Sequence, residues 1–152
     1  MADGSALCAH LEGDIGILEA VRSALEAEYQ ALKAGESVEL EQATALKARH
    51  LHAYTDRQQH LRELLGPETS LAELIEKLPA QRDSNRRLRA SLEALAAECQ
   101  RLNQRNGQVI SSLQSRTRDA LDILRHNSLG PTLYADDGHR ARSGDSRSLG
   151  KA

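Results

Sequence analysis

The sequence predicts an all-α protein: an elongated antiparallel helical bundle or coiled coil of three main helices, with one short helix and a disordered C-terminal tail. Two observations support this prediction. Strong helix formers such as Leu, Ala, Glu, Arg and Gln dominate the 152 residues, whereas only 2% are aromatic and Phe and Trp are absent. Apolar residues also recur in steps of three and four, the spacing of one face of an α-helix. Compact β or α/β domains of this size are normally built around aromatic and β-branched side chains.

The first predicted helix covers residues 5–34. Its apolar residues share one face because they are spaced by three and four positions. Gly35 follows directly, and a glycine just past the last periodic residue is a typical helix end. Gly13 and Gly16 are weak helix formers, so we expect fraying of the first turns. The face consists of Leu11, Ile15, Leu18, Leu25, Tyr29 and Leu32.

Two further helices are predicted before residue 80. A helix over residues 38–65 carries a leaner apolar stripe than the first and ends before a Gly-Pro pair. A short helix over residues 70–78 follows. Ser70 and Glu73 have the spacing of a capping box at its start, and Pro79 ends it.

The third main helix, residues 80–125, has the most regular pattern. Its inward positions are spaced 4-3-4-3-4-3-4, which is a heptad pattern sustained for more than three repeats. Asn106 occupies one of these positions, where a lone Asn fixes the register of a coiled coil; a contact point for another protein is the alternative. Gly107 follows and suggests close approach by another backbone or a local bend. The inward positions are Leu88, Leu92, Leu95, Cys99, Leu102, Asn106, Val109 and Leu113.

Residues 126–152 are predicted to form a flexible tail, because they are rich in Gly, Ser, Arg and Asp and have no apolar periodicity. Within residues 129–138, Leu133 and Tyr134 are typical of a short docking segment; a Tyr within a plain linker is the alternative. The predicted organisation is therefore a helical domain, residues 1–125, followed by a tail with one docking segment.

Charge is distributed unevenly along a chain whose net charge is only −2. Residues 1–79 carry 7 basic and 14 acidic side chains, whereas residues 80–125 carry nine Arg and five acidic side chains. This complementarity favours packing of the two parts against each other.

The chain shows no sign of a membrane or secretory segment. No stretch reaches the roughly 18–20 apolar residues that cross a bilayer, and the acidic first residues lack the basic and apolar parts of a secretory signal. The two cysteines lie 91 positions apart and form no metal or redox motif. We therefore expect a cytoplasmic protein with reduced thiols and no membrane insertion.

No motif for catalysis, for metal binding or for a cofactor is present in the sequence. Arg82, Arg86, Arg87 and Arg89 form a basic cluster, but no aromatic stacking residue lies near it, so an exposed or salt-bridging face is favoured over nucleic-acid binding. We expect a non-enzymatic helical interaction module without a cofactor. It either receives a partner helix or, as the alternative, is a coiled-coil adaptor that self-associates or scaffolds other proteins.

Two short segments are more specific than periodicity. Residues 103–110 read NQRNGQVI, an NxxNGxxI pattern inside a long helix, and residues 131–138 read PTLYADDG, close to PTLYGxDG. In this order they resemble the FlgN family of flagellar type III export chaperones, and residues 40–57 are similar to that family's second helix. The departure is Ala135, where the family usually has Gly; it affects only the turn after Tyr134.

The resemblance implies a cytoplasmic, α-helical chaperone that is not an enzyme. We also expect a chain that is monomeric when free and binds no nucleic acid. The resemblance further implies binding of the C-terminal helices of hook–filament junction proteins (FlgK/FlgL-like), prevention of their premature assembly, and delivery to the export gate. It also implies that Leu133 and Tyr134 dock on the cytosolic domain of the gate protein FlhA. The implied client-binding residues on the third main helix are Leu102, Asn106, Val109, Ile110, Leu113, Ala120, Ile123 and Leu124.

Overall fold

The structure is a computed structural model that describes residues 3–140, with side chains described through Ser128. Its elements are helices α1 (Gly4–Ala34), α2 (Ser37–Leu65) and α3 (Leu71–Lys77), a 3-10 turn (Pro79–Gln81), and helix α4 (Arg82–Arg140). The described residues contain no strand, and the predicted all-α bundle is confirmed. The chain divides into two units, Met1–Val109 and Ile110–Ala152.

The bounds of the first three predicted helices agree with the structure to within one residue. The third main helix differs, because α4 begins at Arg82 and its backbone continues to Arg140 rather than ending at residue 125. Pro131 lies within the range of α4, where it supplies no backbone N–H for the helical hydrogen bond; a proline inside a helix typically kinks or weakens it. Residues 141–152 of the predicted tail lie outside the described residues.

The helix ends follow local sequence signals. Gly35 adopts the left-handed conformation, with φ at 71°, and its N–H donates to the carbonyl of Ala31. The predicted capping box of α3 is present: the Ser70 hydroxyl accepts from the backbone N–H of Glu73 at 3.2 Å, and the Glu73 carboxylate accepts from the backbone N–H of Ser70 at 3.3 Å. These caps satisfy backbone groups that a helix leaves unpaired at its ends.

The apolar core of the first unit is formed mainly by α1 and α4. Leu side chains dominate it, and each contributes about 1.5–3 kcal/mol when fully buried. By contrast, Ala43 is the single buried residue of α2. The core comprises Leu7, Leu11, Leu18, Val21 and Leu25 of α1, Ile75 of α3, and Leu92, Leu95, Cys99 and Leu102 of α4.

Helices α1 and α4 run parallel in one fixed register. Three side chains of α4 donate to backbone carbonyls of α1, and each donor lies 81 positions after its acceptor. Because the difference in residue number between donor and acceptor is constant, the two helices run in the same direction. The donor–acceptor pairs are Asn85 with Gly4 at 3.3 Å, Cys99 with Leu18 at 3.5 Å, and Asn106 with Leu25 at 2.8 Å.

The three donors lie at the same position of the heptad, 14 and 7 residues apart, so each presents the same edge of α4 to α1. Burial raises the pKa of the Cys99 thiol, and Glu98 adds to this effect. The thiol therefore keeps the proton that it donates to Leu18.

Helix α2 runs antiparallel to α1 and is held largely by polar contacts. The buried carboxylate of Asp14 accepts from Arg57 Nε at 2.6 Å and from Gln58 Nε2 at 2.7 Å. Further along α1, the buried carboxylate of Glu28 lies 2.8 Å from Lys47 Nζ. Because the partner number in α2 falls as the α1 number rises, these two clusters fix both the direction and the register of α2.

Gly13 makes room for one of these contacts. A Cβ atom at this position would lie 2.6 Å from Nη2 of Arg57, the guanidinium that crosses α1 to reach Asp14. The same guanidinium also donates to the backbone carbonyl of His10 at 2.8 Å. The expected fraying at Gly13 is not found, because this glycine lies within a continuous α1 and is covered by Arg57.

We predict that Arg57→Gln lowers the free energy of unfolding by about 2–3 kcal/mol. The variant leaves the buried Asp14 carboxylate without its charged partner; the loss is smaller than for a fully buried pair because Arg57 is partly exposed. Urea denaturation followed by circular dichroism measures the change. Arg49→Gln, at an exposed position of the same helix, is the matched control, with an expected change within about 0.5 kcal/mol. Equal stability of Arg57→Gln and the parent would show that Gln58 alone satisfies Asp14.

Candidate interaction surface

The second unit contains a helical segment with exposed aliphatic side chains. Every side chain described from Ile110 through Ser128 is exposed. Five large aliphatic residues of α4 are among them, with exposed fractions from 37% to 64%: Ile110, Leu113, Leu121, Ile123 and Leu124. A helix that faces water on all sides is normally polar all round, whereas a one-sided apolar face is typical of a surface that contacts a partner.

The exposed apolar residues gather on one side of α4. Successive helical residues are about 100° apart, and five apolar residues fall within an arc of about 100° that we call the apolar stripe. The apolar stripe consists of Ile110, Leu113, Ala120, Leu121 and Leu124. Thr117 lies within the same arc, and its hydroxyl donates to the carbonyl of Leu113 at 3.0 Å, so it adds no unpaired polar group. Ile123 lies about 60° beyond one edge, while Ser111 and Ser115 lie on the opposite side.

The eight implied client-binding residues differ in their exposure and fall into three groups. Leu102 and Asn106 lie in the first unit and are only 1% exposed, because α1 covers them. Val109 is partly buried. The exposed members are Ile110, Leu113, Ala120, Ile123 and Leu124.

Leu121 belongs to the exposed group, although it was not among the residues predicted from the sequence. It precedes Leu124 by three positions and follows Thr117 by four, so continuing the helical spacing through Thr117 would have identified it.

Asn106 has the contacts expected of a register-fixing residue. Its side-chain amide donates to the carbonyl of Leu25 at 2.8 Å and to Oε1 of Glu28 at 2.9 Å. Gly107, in contrast, is exposed, and no atom of the described residues outside its own turn lies within 4 Å of where a Cβ would stand. The expected close approach of another backbone at Gly107 is therefore not found within the described residues.

Glu28 connects three helices through one buried carboxylate. Burial alone would raise the pKa of Glu28, but hydrogen bonds from Lys47, Asn106 and Thr44 outweigh this effect and lower the pKa below its ordinary value of 4.5. This cluster around Glu28 was not predicted from the sequence. A signal was present, because Asp14 and Glu28 both occupy positions of the 4-3 spacing that the leucines of α1 follow.

The imidazole of His10 lies beside the other buried carboxylate, 3.3 Å from Asp14. Burial lowers the pKa of His10 from 6.5; Asp14 opposes this effect, whereas Arg57 and His60 add to it. His10 is therefore uncharged at neutral pH, and Arg57 is the cation that balances the Asp14 carboxylate.

The basic cluster at the start of α4 forms ion pairs. Arg86 lies 2.6 Å and Arg82 3.6 Å from the carboxylate of Glu76 in α3, and Arg89 lies 2.9 Å from Glu93. The salt-bridging interpretation is thus confirmed for these three arginines. Within the described range, no group of three or more His, Cys, Asp or Glu residues is placed to hold a metal ion. No helix among the described residues is long and apolar enough to span a bilayer.

An exposed apolar stripe on a helix, beside an apolar helical core, is typical of proteins that bind a partner helix. The family model described as FlgN protein matches residues 1–142, and the chain belongs to the FlgN family. This is a family of flagellar export chaperones that is not known as enzymatic. Comparisons with curated proteins and with solved structures gave no match.

The lowered pKa of Glu28 predicts a specific acid sensitivity. Because the folded pKa is below 4.5, the ionised carboxylate stabilises the fold above that pH, and this contribution is lost as the pH falls through the folded pKa. We expect Glu28→Gln to be less stable at pH 7, by about 1–3 kcal/mol, and to lose less stability than the parent below pH 4.5.

Urea midpoints measured from pH 7 to pH 3 test this prediction. Glu39→Gln, at an exposed position of α2, is the control and should reproduce the parent profile. If the urea midpoint of Glu28→Gln falls as steeply with decreasing pH as that of the parent, the predicted contribution of the Glu28 carboxylate to acid sensitivity is contradicted.

Proposed function

We propose that this protein is a cytoplasmic export chaperone that binds the C-terminal helices of hook–filament junction proteins (FlgK/FlgL-like). In this proposal it prevents their premature assembly and delivers them to the flagellar type III export gate. The observation that carries the proposal is the exposed apolar stripe of the second unit. An amphipathic client helix buries its own apolar face when it lies along such a stripe. Membership in a family of flagellar export chaperones supports this class of client.

The proposed client surface is narrower than the set that the resemblance implied. It consists of the apolar stripe together with Ile123, because these residues offer their side chains to solvent. Leu102 and Asn106 instead stabilise the packing of α4 on α1 within the first unit, since their side chains are buried against α1.

The chemistry of the apolar stripe suits a carrier that must release its cargo. Each half-exposed aliphatic side chain that a client covers contributes about 1 kcal/mol, roughly half the value for complete burial of a Leu side chain. Association and ordering of the client cost several kcal/mol, so the net affinity is modest. Modest affinity allows the client to dissociate when it reaches the gate.

Gate docking completes the proposal. Leu133 and Tyr134 belong to the segment that resembles the family's tail motif, and we assign them to the cytosolic domain of FlhA. Their backbone lies in α4, and their side chains lie outside the part of the chain whose side chains are described. A Leu and Tyr pair presents apolar area with one hydroxyl, which suits weak and reversible docking.

We predict that Ile110→Asp combined with Leu113→Asp weakens binding of a FlgK-like C-terminal peptide at least 30-fold. The two carboxylates place charge on the surface that the client helix must desolvate. Calorimetric titration measures affinity and stoichiometry, and the parent should bind one peptide per chain. Ser115→Asp with His126→Asp adds the same charge at two exposed positions about 170° from the centre of the apolar stripe and should leave the affinity within about threefold.

Retained helicity in circular dichroism shows that a loss of binding is not a loss of fold. If neither a FlgK-like nor a FlgL-like peptide binds the folded parent, the chaperone proposal fails. Sedimentation then tests the adaptor alternative, because self-association through the apolar stripe gives a dimer whose population rises with concentration. A monomer at all concentrations is expected under the chaperone proposal.

We predict that truncation after Asn127 separates client binding from delivery. The truncated chain keeps the apolar stripe and should bind the FlgK-like peptide with an affinity within about threefold of the parent. It lacks Leu133 and Tyr134, so binding to the cytosolic domain of FlhA and export of the junction protein in cells should fall strongly. Loss of peptide binding on truncation would contradict this division of roles. Tyr134→Ala in the full chain is a more conservative variant that tests the same division.

A further inference from the structure

Between Ile110 and Ser128, the part of the second unit whose side chains are described, the charged residues are segregated around α4. From the helical angle of about 100° per residue, Arg116, Arg118 and Arg125 lie about 90–110° from the centre of the apolar stripe, on its two flanks. Asp119 and Asp122 lie about 150° from that centre, on the side facing away from the stripe. The stripe is therefore bordered by positive charge, although the segment contains acidic residues as well.

The three flanking arginines are available to a partner. All three are exposed, and among the described residues no carboxylate oxygen lies within 4.0 Å of any of them, not even that of Asp122, which lies four positions after Arg118. In the first unit, by comparison, Arg105 lies 3.2 Å from Glu26 and Arg22 lies 3.4 Å from Glu98. Arginine on the border of an apolar helical seam typically pairs with a carboxylate on the facing helix, while its methylene stem covers apolar surface.

We propose that the apolar stripe selects a partner helix whose own apolar face is bordered by acidic side chains. This inference rests on the proposed function and deepens it, because it states which chemistry distinguishes a client from other amphipathic helices. Arg116 lies along one edge of the apolar stripe, and Arg118 and Arg125 lie along the other. Acidic residues on both edges of a client helix are therefore recognised. Arg118 and Arg125 are seven residues apart and meet carboxylates at heptad spacing. A partner helix with basic borders is rejected by like-charge repulsion.

The test reverses the three flanking charges. The variant Arg116→Glu, Arg118→Glu, Arg125→Glu is titrated with the FlgK-like C-terminal peptide at 50 mM and at 500 mM NaCl. The control is Arg49→Glu, Arg87→Glu, Arg101→Glu, which changes the net charge equally at exposed arginines of the first unit. We expect the flank variant to bind about 10- to 100-fold more weakly at low salt, because three pairs become three repulsions. Salt should weaken the parent complex and strengthen that of the flank variant.

Two outcomes would contradict the inference but leave the proposed function standing. One is unchanged affinity of the flank variant together with lost affinity of the stripe variant Ile110→Asp, Leu113→Asp. The other is an equal loss in the flank variant and the control, which would show a response to net charge alone. Failure of the folded parent to bind either junction-protein peptide would instead remove the proposed function itself. Circular dichroism on each variant shows that the helices remain folded.

Discussion

One buried carboxylate, that of Glu28, joins the three long helices of the first unit. It lies on α1, accepts from Asn106 of α4, and lies within hydrogen-bond distance of Lys47 and Thr44 of α2. A leucine seam alone tolerates slippage by a helical turn, because one Leu replaces another with little change in packing. A carboxylate with three specific donors does not, since any shift leaves a buried charge unpaired. The register of α1, α2 and α4 in the first unit therefore depends on this contact, which acts together with the Asp14 cluster and the hydrogen bonds from α4 to the carbonyls of α1.

The two faces of α1 are stabilised by different kinds of interaction. Towards α4, α1 packs leucines and accepts three hydrogen bonds at its backbone carbonyls, and this contact changes little with pH or salt. Towards α2, it offers the carboxylates of Asp14 and Glu28, while α2 buries only Ala43. Protonation of the Glu28 carboxylate therefore weakens its contacts with Lys47 and Thr44 of α2 and with Asn106 of α4, whereas the leucine contacts between α1 and α4 contain no group that titrates.

Local and periodic features were predictable from the sequence because they involve neighbouring residues. The heptad spacing of α4, the glycine at the end of α1 and the capping box at Ser70 each act within a few positions. Contacts between distant residues were not predictable in the same way. Spacing shows that Leu102 and Leu113 belong to similar stripes, but only the packing of α1 shows that Leu102 is buried while Leu113 is 40% exposed. Likewise, Arg57 reaches Asp14 across Gly13, a contact between residues 43 positions apart.

An exposed apolar surface that binds a partner can also cause aggregation. The amino-acid composition of the chain reduces this risk. Phe and Trp are absent from the chain. A large aromatic side chain buries about 150–250 Å² of surface, so an exposed one would be strongly driven to leave water. The apolar stripe uses Leu, Ile and Ala instead, which lose less free energy when they stay exposed. Its borders are arginines of like charge, so two copies that approach stripe to stripe bring positive charges together. Under the proposal, the same borders attract a helix with acidic edges, so a single charge pattern would oppose self-association and favour one class of partner.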